Sequence, residues 1–198
     1  MKFANLINYK NAQMIINERN FAVARPKLAT THEAVIAVSF GDMGKAGAVL
    51  GEKFLTVSKS GAGDAVWIPY LPKISVYGYL DGGQSVAVSG PFSGCYFEVG
   101  KHGGRVYAAH VSCEGKGDEN VVEWLAGNGL ADRTVLFRKK IGMAAALPDG
   151  ATNAAAIVFA QIEGNNVTVT RVDVMTQSAG GMSGPIFGVS DLISDPIA

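Results

Sequence analysis

Cys95 and His110 are the residues of this chain whose types and spacing would support nucleophilic chemistry together. A glycine-rich turn separates two runs that are rich in β-branched and aromatic residues, 96–99 and 105–108. That pattern predicts a β-hairpin. With the turn centred near His102, one register sets Cys95 directly opposite His110, where Cβ atoms lie about 4.5–5.5 Å apart.

A cysteine nucleophile requires at least a thiol beside an imidazole, because a neighbouring imidazolium favours the thiolate. The thiolate attacks a carbonyl carbon, and the histidine protonates the leaving amine. Gly94 allows a tight turn, so the backbone amides of Gly94 and Cys95 are the candidate donors to the oxyanion. Ser89 is expected to orient His110, because Gly90-Pro91 bends the chain between the serine and the cysteine.

The second cysteine, Cys113, is not expected to form a disulfide with Cys95. It lies three residues beyond His110 and therefore points to the opposite face of the same strand. Two cysteines in 198 residues also fit a reduced compartment. His32 and His102 lack Cys, His or Glu neighbours at metal-ligand spacing, so the sequence predicts neither a metal nor another cofactor.

The ordered set Ser89, Gly94, Cys95 and His110 resembles the catalytic core of bacterial glutamine-deamidating toxins, a group that includes Burkholderia lethal factor and the catalytic domain of the cytotoxic necrotizing factors. The resemblance covers about residues 63–112. Lethal factor has a threonine where this chain has Ser89, a mild departure. The segment 65–70, Ala-Val-Trp-Ile-Pro-Tyr, is also similar to a tryptophan-containing strand of that toxin.

The resemblance implies a hydrolase in which Cys95 attacks the side-chain carboxamide of a glutamine, His110 acts as base and then acid, and Ser89 orients His110. It implies that Trp67 lines the substrate pocket. The implied partner is a target protein that carries the glutamine. The chain would be made in a bacterial cytoplasm and be secreted or delivered into a target cell as a toxin or virulence effector.

Composition and charge limit the remaining choices of protein class and partner. Hydrophobic residues make up 48% and charged residues 17% of the chain, which is typical of a compact globule. Seventeen basic and seventeen acidic residues balance, so charge favours no nucleic-acid partner. The longest apolar runs are too short to span a bilayer, and the N-terminus lacks the apolar core of a signal peptide. We expect a monomer.

The hydrophobic pattern predicts an α+β fold: one catalytic domain over 1–198, with a β-sandwich or mixed sheet flanked by a few helices, like the deamidase toxins. Helices are predicted at 3–18 and 118–126. Strands are predicted around the hairpin at 34–40, 47–58, 65–70, 73–80, 84–89, 133–139, 154–162, 166–175 and 184–189. The Ala/Gly-rich segment 142–156 is expected to be a loop or an edge.

Two other functions compete with the deamidase. Gly-Gly-Met-Ser-Gly-Pro around Ser183 resembles the nucleophile segment of chymotrypsin-like serine peptidases, with His32 earlier in the chain and Asp64 or Asp81 between them. A peptidase that uses Cys95 belongs to the same alternative. The other is an interaction module without activity, in which Cys95 is a buried small hydrophobe.

Overall fold

The computed structural model describes residues 13–16, 31–33, 36–42, 54–59, 65–72, 75–80, 85–113, 130, 132–143, 146–178 and 181–196. These residues form two β-sheets and contain no helix. The prediction of a sheet-rich fold is therefore confirmed, whereas the predicted helical flanks do not occur within the described ranges. The predicted helix at 118–126 lies outside those ranges.

The larger sheet is a closed barrel of eight strands. Its order is β1-β13-β12-β11-β7-β5-β3-β4. All neighbours are antiparallel except the β1–β4 and β5–β7 pairs, which are parallel. The strands are β1 (Gln13–Ile16), β3 (Ile36–Asp42), β4 (Phe54–Lys59), β5 (Ala65–Pro69), β7 (Val86–Phe92), β11 (Asn153–Glu163), β12 (Asn166–Thr176) and β13 (Gly184–Pro196).

The second sheet has five strands in the order β10-β8-β9-β6-β2. Its centre is the antiparallel hairpin of β8 and β9. The strands are β2 (Thr31–Glu33), β6 (Ser75–Tyr79), β8 (Cys95–His102), β9 (Arg105–Val111) and β10 (Thr134–Ile141).

The buried apolar side chains form three clusters, which show how the sheets pack. One, including Trp67, Val88 and Phe159, draws its strand residues from the barrel alone. A second combines the alternate residues of the same barrel strands, such as Ile68 and Val158, with residues of the second sheet such as Phe97. Because successive side chains of a strand point to opposite faces, this second cluster is the contact between the two sheets. The third cluster, around Tyr107, covers the other face of the second sheet.

The helix predicted over 3–18 is wrong where the structure describes it, because Gln13–Ile16 is a strand. Its backbone pairs in parallel with β4 and antiparallel with β13. A short apolar run does not distinguish a helix from a strand by periodicity, and here pairing on both sides closes the barrel. The segment 142–156 is likewise not all loop or edge, since β11 begins at Asn153 and lies between β12 and β7.

Candidate active site

The predicted hairpin is present, but its register differs from the expected one by two residues. His102 pairs with Arg105, and Phe97 rather than Cys95 lies directly opposite His110. The turn is centred between Gly103 and Gly104, whose φ angles are 58° and 77°. A two-residue turn with positive φ at both central positions matches the twist of the flanking strands. The prediction centred the turn on His102 and therefore set the pairs incorrectly.

The two-residue shift preserves the face that Cys95 and His110 share. Cys95 precedes Phe97 by two residues, so its side chain lies on the same face of β8 as Phe97 and hence of His110. Such diagonal neighbours have Cα atoms about 7–8 Å apart. Cys95 is 9% exposed and His110 1% exposed. The thiol and the imidazole thus lie as diagonal neighbours at the contact between the barrel and the second sheet.

Ser89 joins the barrel to this histidine. Its hydroxyl donates to the backbone carbonyl of Ile68 at 2.7 Å and lies 2.9 Å from Nδ1 of His110. A serine hydroxyl carries one proton, so its oxygen must accept from Nδ1–H. Nε2 is then the unprotonated nitrogen of the ring. It is buried and has no hydrogen-bond partner among the described residues, so its lone pair remains available to accept a proton.

A β-bulge in β7 brings two of its side chains to His110. Ser89 pairs with Val158, and Phe92 pairs with Ala156. Phe92 is three residues after Ser89 on β7, but their partners are only two residues apart on β11, so β7 contains one extra residue here. Without the extra residue, Ser89 and Phe92 would point to opposite faces of the barrel. The bulge re-aims the second side chain, as bulges beside functional sites commonly do. Ser89 consequently binds Nδ1 while Phe92 stacks on the ring.

Aromatic rings enclose the imidazole. Phe92 lies parallel to His110, with ring centroids 4.0 Å apart and planes inclined by 8°. Tyr70 contacts it at 5.3 Å with a 46° tilt. Burial without a charged partner disfavours the imidazolium and lowers the pKa of His110 to about 3. His110 is therefore a neutral imidazole at neutral pH.

The buried histidine should make the protein acid-sensitive. The folded state resists protonation of His110 while the unfolded chain takes up a proton below about pH 6.5, its ordinary pKa. Stability should therefore fall as pH decreases from about 6.5 towards 3, by at most about 1.4 kcal/mol per pH unit from this residue. Urea denaturation of wild type and His110→Gln between pH 7 and 4 measures the difference. Equal pH slopes for the two proteins would contradict the assignment.

The remaining residues predicted for the site lie as follows. The Gly94 amide donates to the Ile141 carbonyl at 2.9 Å, so it is already engaged as a donor. Trp67 is buried in the barrel cluster with Val88, on the opposite face of β5 from Ile68. The structure therefore does not bring Trp67 to Cys95.

Cys95 and Cys113 are both free thiols. Cys113 packs against the cluster on the outer face of the second sheet, away from the face that Cys95 shares with His110. Ser183 directly precedes the barrel strand β13, whereas the backbone of His32 lies in β2 of the second sheet. Asp64 and Asp81 lie outside the described residues. The peptidase prediction for Ser183 therefore stays a prediction.

A buried ionic cluster lies on the outer face of β8 and was not predicted from sequence. The Glu98 carboxylate is fully buried and accepts from Arg133 Nε at 2.9 Å, from Arg138 Nε at 2.6 Å and from the Tyr107 hydroxyl. Burial, followed by the charge of Glu98, raises the pKa of Tyr107 and keeps its phenol protonated. Arg133 and Arg138 follow Glu98 by 35 and 40 residues, so only the fold brings them together.

Phe92 and Tyr70 are the site residues that sequence reasoning missed. The alternation of β7 predicts that Phe92 faces away from Ser89, and only the bulge reverses that direction. Gly90-Pro91 was the available signal, because proline and glycine within a strand often mark a bulge.

No protein-family model matches this chain, and no curated protein matches it. Among the described residues, no group of three or more His, Cys, Asp or Glu side chains is placed to hold a metal ion. None of the described residues belongs to a helix long and apolar enough to cross a membrane. The function has to be argued from the arrangement of Ser89, Cys95 and His110.

Proposed function

We propose that this protein is a cysteine-dependent protein glutamine deamidase that converts a glutamine of a target protein to glutamate. The observation that carries the proposal is the hydrogen-bond chain from the Ile68 carbonyl through Ser89 to Nδ1 of His110. That chain leaves Nε2 as an acceptor on the face of the sheet that also carries Cys95. The substrate class comes from the resemblance of the Ser89–His110 segment to deamidating toxins. We include in the proposal that the whole fold is similar to that of these toxins.

In the first half of the reaction, Nε2 of His110 takes the proton of the Cys95 thiol as the sulfur attacks the carboxamide carbon. Negative charge develops on the carboxamide oxygen during this attack, and the backbone amide of Cys95 is the candidate hydrogen-bond donor to it. The C–N bond then breaks, and the imidazolium returns its proton to the departing nitrogen, which leaves as ammonia. The product of this half is a thioester between Cys95 and the target side chain.

In the second half, water attacks the thioester and gives its proton to Nε2. The C–S bond breaks, the thiol is restored, and the target carries a glutamate in place of a glutamine. Each half begins with proton abstraction, which requires the neutral form that His110 has at neutral pH. The new negative charge can disrupt polar contacts of the target. Delivery of the chain into a target cell is part of this proposal.

The proposal is tested by incubating the protein with an extract of eukaryotic cells. We expect release of ammonia, together with a mass gain of about one dalton on particular glutamine peptides and no new chain ends, since oxygen replaces an amide nitrogen. New termini without ammonia release would identify a peptidase. An extract unchanged in both respects would contradict the enzymatic proposal.

Ser89 should act as a positioning residue. In Ser89→Ala, the Ile68 carbonyl and Nδ1–H both lose a buried partner, and the ring is free to change tautomer or rotate. We expect kcat to fall by about 10- to 100-fold with a smaller change in KM. Ser89→Thr keeps the hydroxyl and should retain most of the activity. Equal losses in both variants would show that the site requires the serine volume rather than its hydrogen bonds.

A further inference from the structure

The exposed large hydrophobic side chains of the described residues all occur on β10 and the segment that follows it. They are Met143, 65% exposed, Leu147, 43% exposed, and Val135, 39% exposed. Among the side chains whose exposure the structure describes, which exclude those of β1 to β4, every other large hydrophobic one is at least partly covered. Met143 and Leu147 follow the end of β10 that pairs with Cys95, whereas Val135 lies near its other end, opposite Gly100.

This segment adjoins the nucleophile. Ile141, the last residue of β10, pairs with Cys95, and its carbonyl accepts from the Gly94 amide at 2.9 Å. Met143 follows Ile141 by two residues, which is about 7 Å of extended chain. In the described part of the second sheet β10 is an edge strand, and none of the described strands pairs with its outer side.

The face of β10 that looks towards the site carries an exposed positive charge. Lys139 pairs with Phe97, and Phe97 shares its face with Cys95 and His110. Ile141 on that face is buried, while Lys139 is exposed. Lys140 is exposed too, but it pairs with Tyr96 and lies on the opposite face. No acidic residue occurs between Thr134 and Pro148.

We infer that the edge of β10, with Lys139 and Met143, docks an extended segment of the protein substrate whose glutamine is flanked by acidic and apolar residues. This inference rests on the proposed function. Main-chain pairing along an open edge supplies affinity, and the side chains on one face supply specificity. A lysine on the site face and an exposed methionine beyond it select an acidic and an apolar side chain respectively.

Binding of two fluorescent peptides to the Cys95→Ala protein tests the inference without requiring chemistry. The probes are acetyl-Asp-Leu-Gln-Leu-Asp-amide and its counterpart with lysine in place of aspartate. By fluorescence anisotropy at low salt, we expect the acidic peptide to bind about tenfold tighter. Lys139→Glu should weaken its binding about fivefold or more, Met143→Ser should also weaken it, and the matched control Lys140→Glu should change it less than twofold.

Equal binding of the two peptides, absence of binding, or equal effects of Lys139→Glu and Lys140→Glu would overturn the docking site. So would a dimer in sedimentation experiments that Met143→Asp dissociates, because a second copy would then cover this surface. Selective binding without ammonia release in cell extract would count against the proposed reaction alone. Deamidation in extract by an enzyme that shows no peptide preference would count against the docking site alone.

Discussion

Replacing Cys95 by alanine should abolish glutamine deamidation, with a rate at least about a thousandfold below that of the wild type. The sulfur forms the covalent intermediate. His110→Ala should cause a loss of similar size, because Nε2 accepts and returns the proton in both halves of the reaction. The measurements are ammonia release and the mass gain of about one dalton on target peptides.

Cys113→Ala is the matched control for these variants. It removes the other thiol of the chain, on the opposite side of the second sheet, and should leave the rate unchanged. Iodoacetamide labelling gives an independent measurement, in which His110→Ala should slow modification of Cys95 relative to that of Cys113, because no neutral imidazole then takes the thiol proton. Activity that survives Cys95→Ala in a folded protein would refute the mechanism and return Ser183 to consideration.

Glu98→Gln should be among the most destabilising single substitutions in the described part of the chain. The carboxylate is the shared partner of Arg133 and Arg138, whose side chains are 5% and 23% exposed. Removing its charge takes away the fully buried carboxylate that the buried Arg133 side chain binds, and leaves the Arg133 guanidinium close to that of Arg138. Breaking a buried ion pair in this way typically costs about 3–5 kcal/mol of unfolding free energy, which urea denaturation near neutral pH measures.

Asp173→Asn is the control for Glu98→Gln. Asp173 pairs with Arg171 at 2.8 Å, but both side chains keep contact with solvent, at 18% and 17% exposure. Solvent screening should limit its loss to about 1 kcal/mol or less. If the two substitutions had equal effects, the Glu98 cluster would not be the buried charge network described above.

The candidate site takes its residues from both sheets. Ser89 and Phe92 come from the barrel strand β7, and His110 comes from β9 of the second sheet. Cys95 begins β8, and two residues, Ser93 and Gly94, separate it from the bulged end of β7. The passage of the chain from barrel to sheet at Ser93-Gly94 therefore carries the nucleophile directly to the sheet contact. A change that loosens the packing between the two sheets should therefore disturb the geometry of the site before it disturbs strand pairing within either sheet.

The sequence by itself determined the local parts of this arrangement. Alternation and glycine placement predicted the β8–β9 hairpin, and one assumed register of that hairpin predicted that Cys95 and His110 share a face. The period of two along a strand predicted that Cys113 faces away from His110. The order Ser89, Cys95, His110 indicated cysteine chemistry. These inferences needed only side-chain direction within one hairpin, which the backbone geometry of a strand fixes.

Tertiary structure alone decided the rest. The register followed from the conformation of Gly103 and Gly104, and the direction of Phe92 followed from a bulge opposite β11, a strand about 65 residues later in the chain. Closure of the barrel turned a short apolar run near the N-terminus into a strand. The neutral state of His110 and the ionic cluster of Glu98 arise from burial by distant elements, because desolvation depends on what packs against a group and not on its neighbours in sequence.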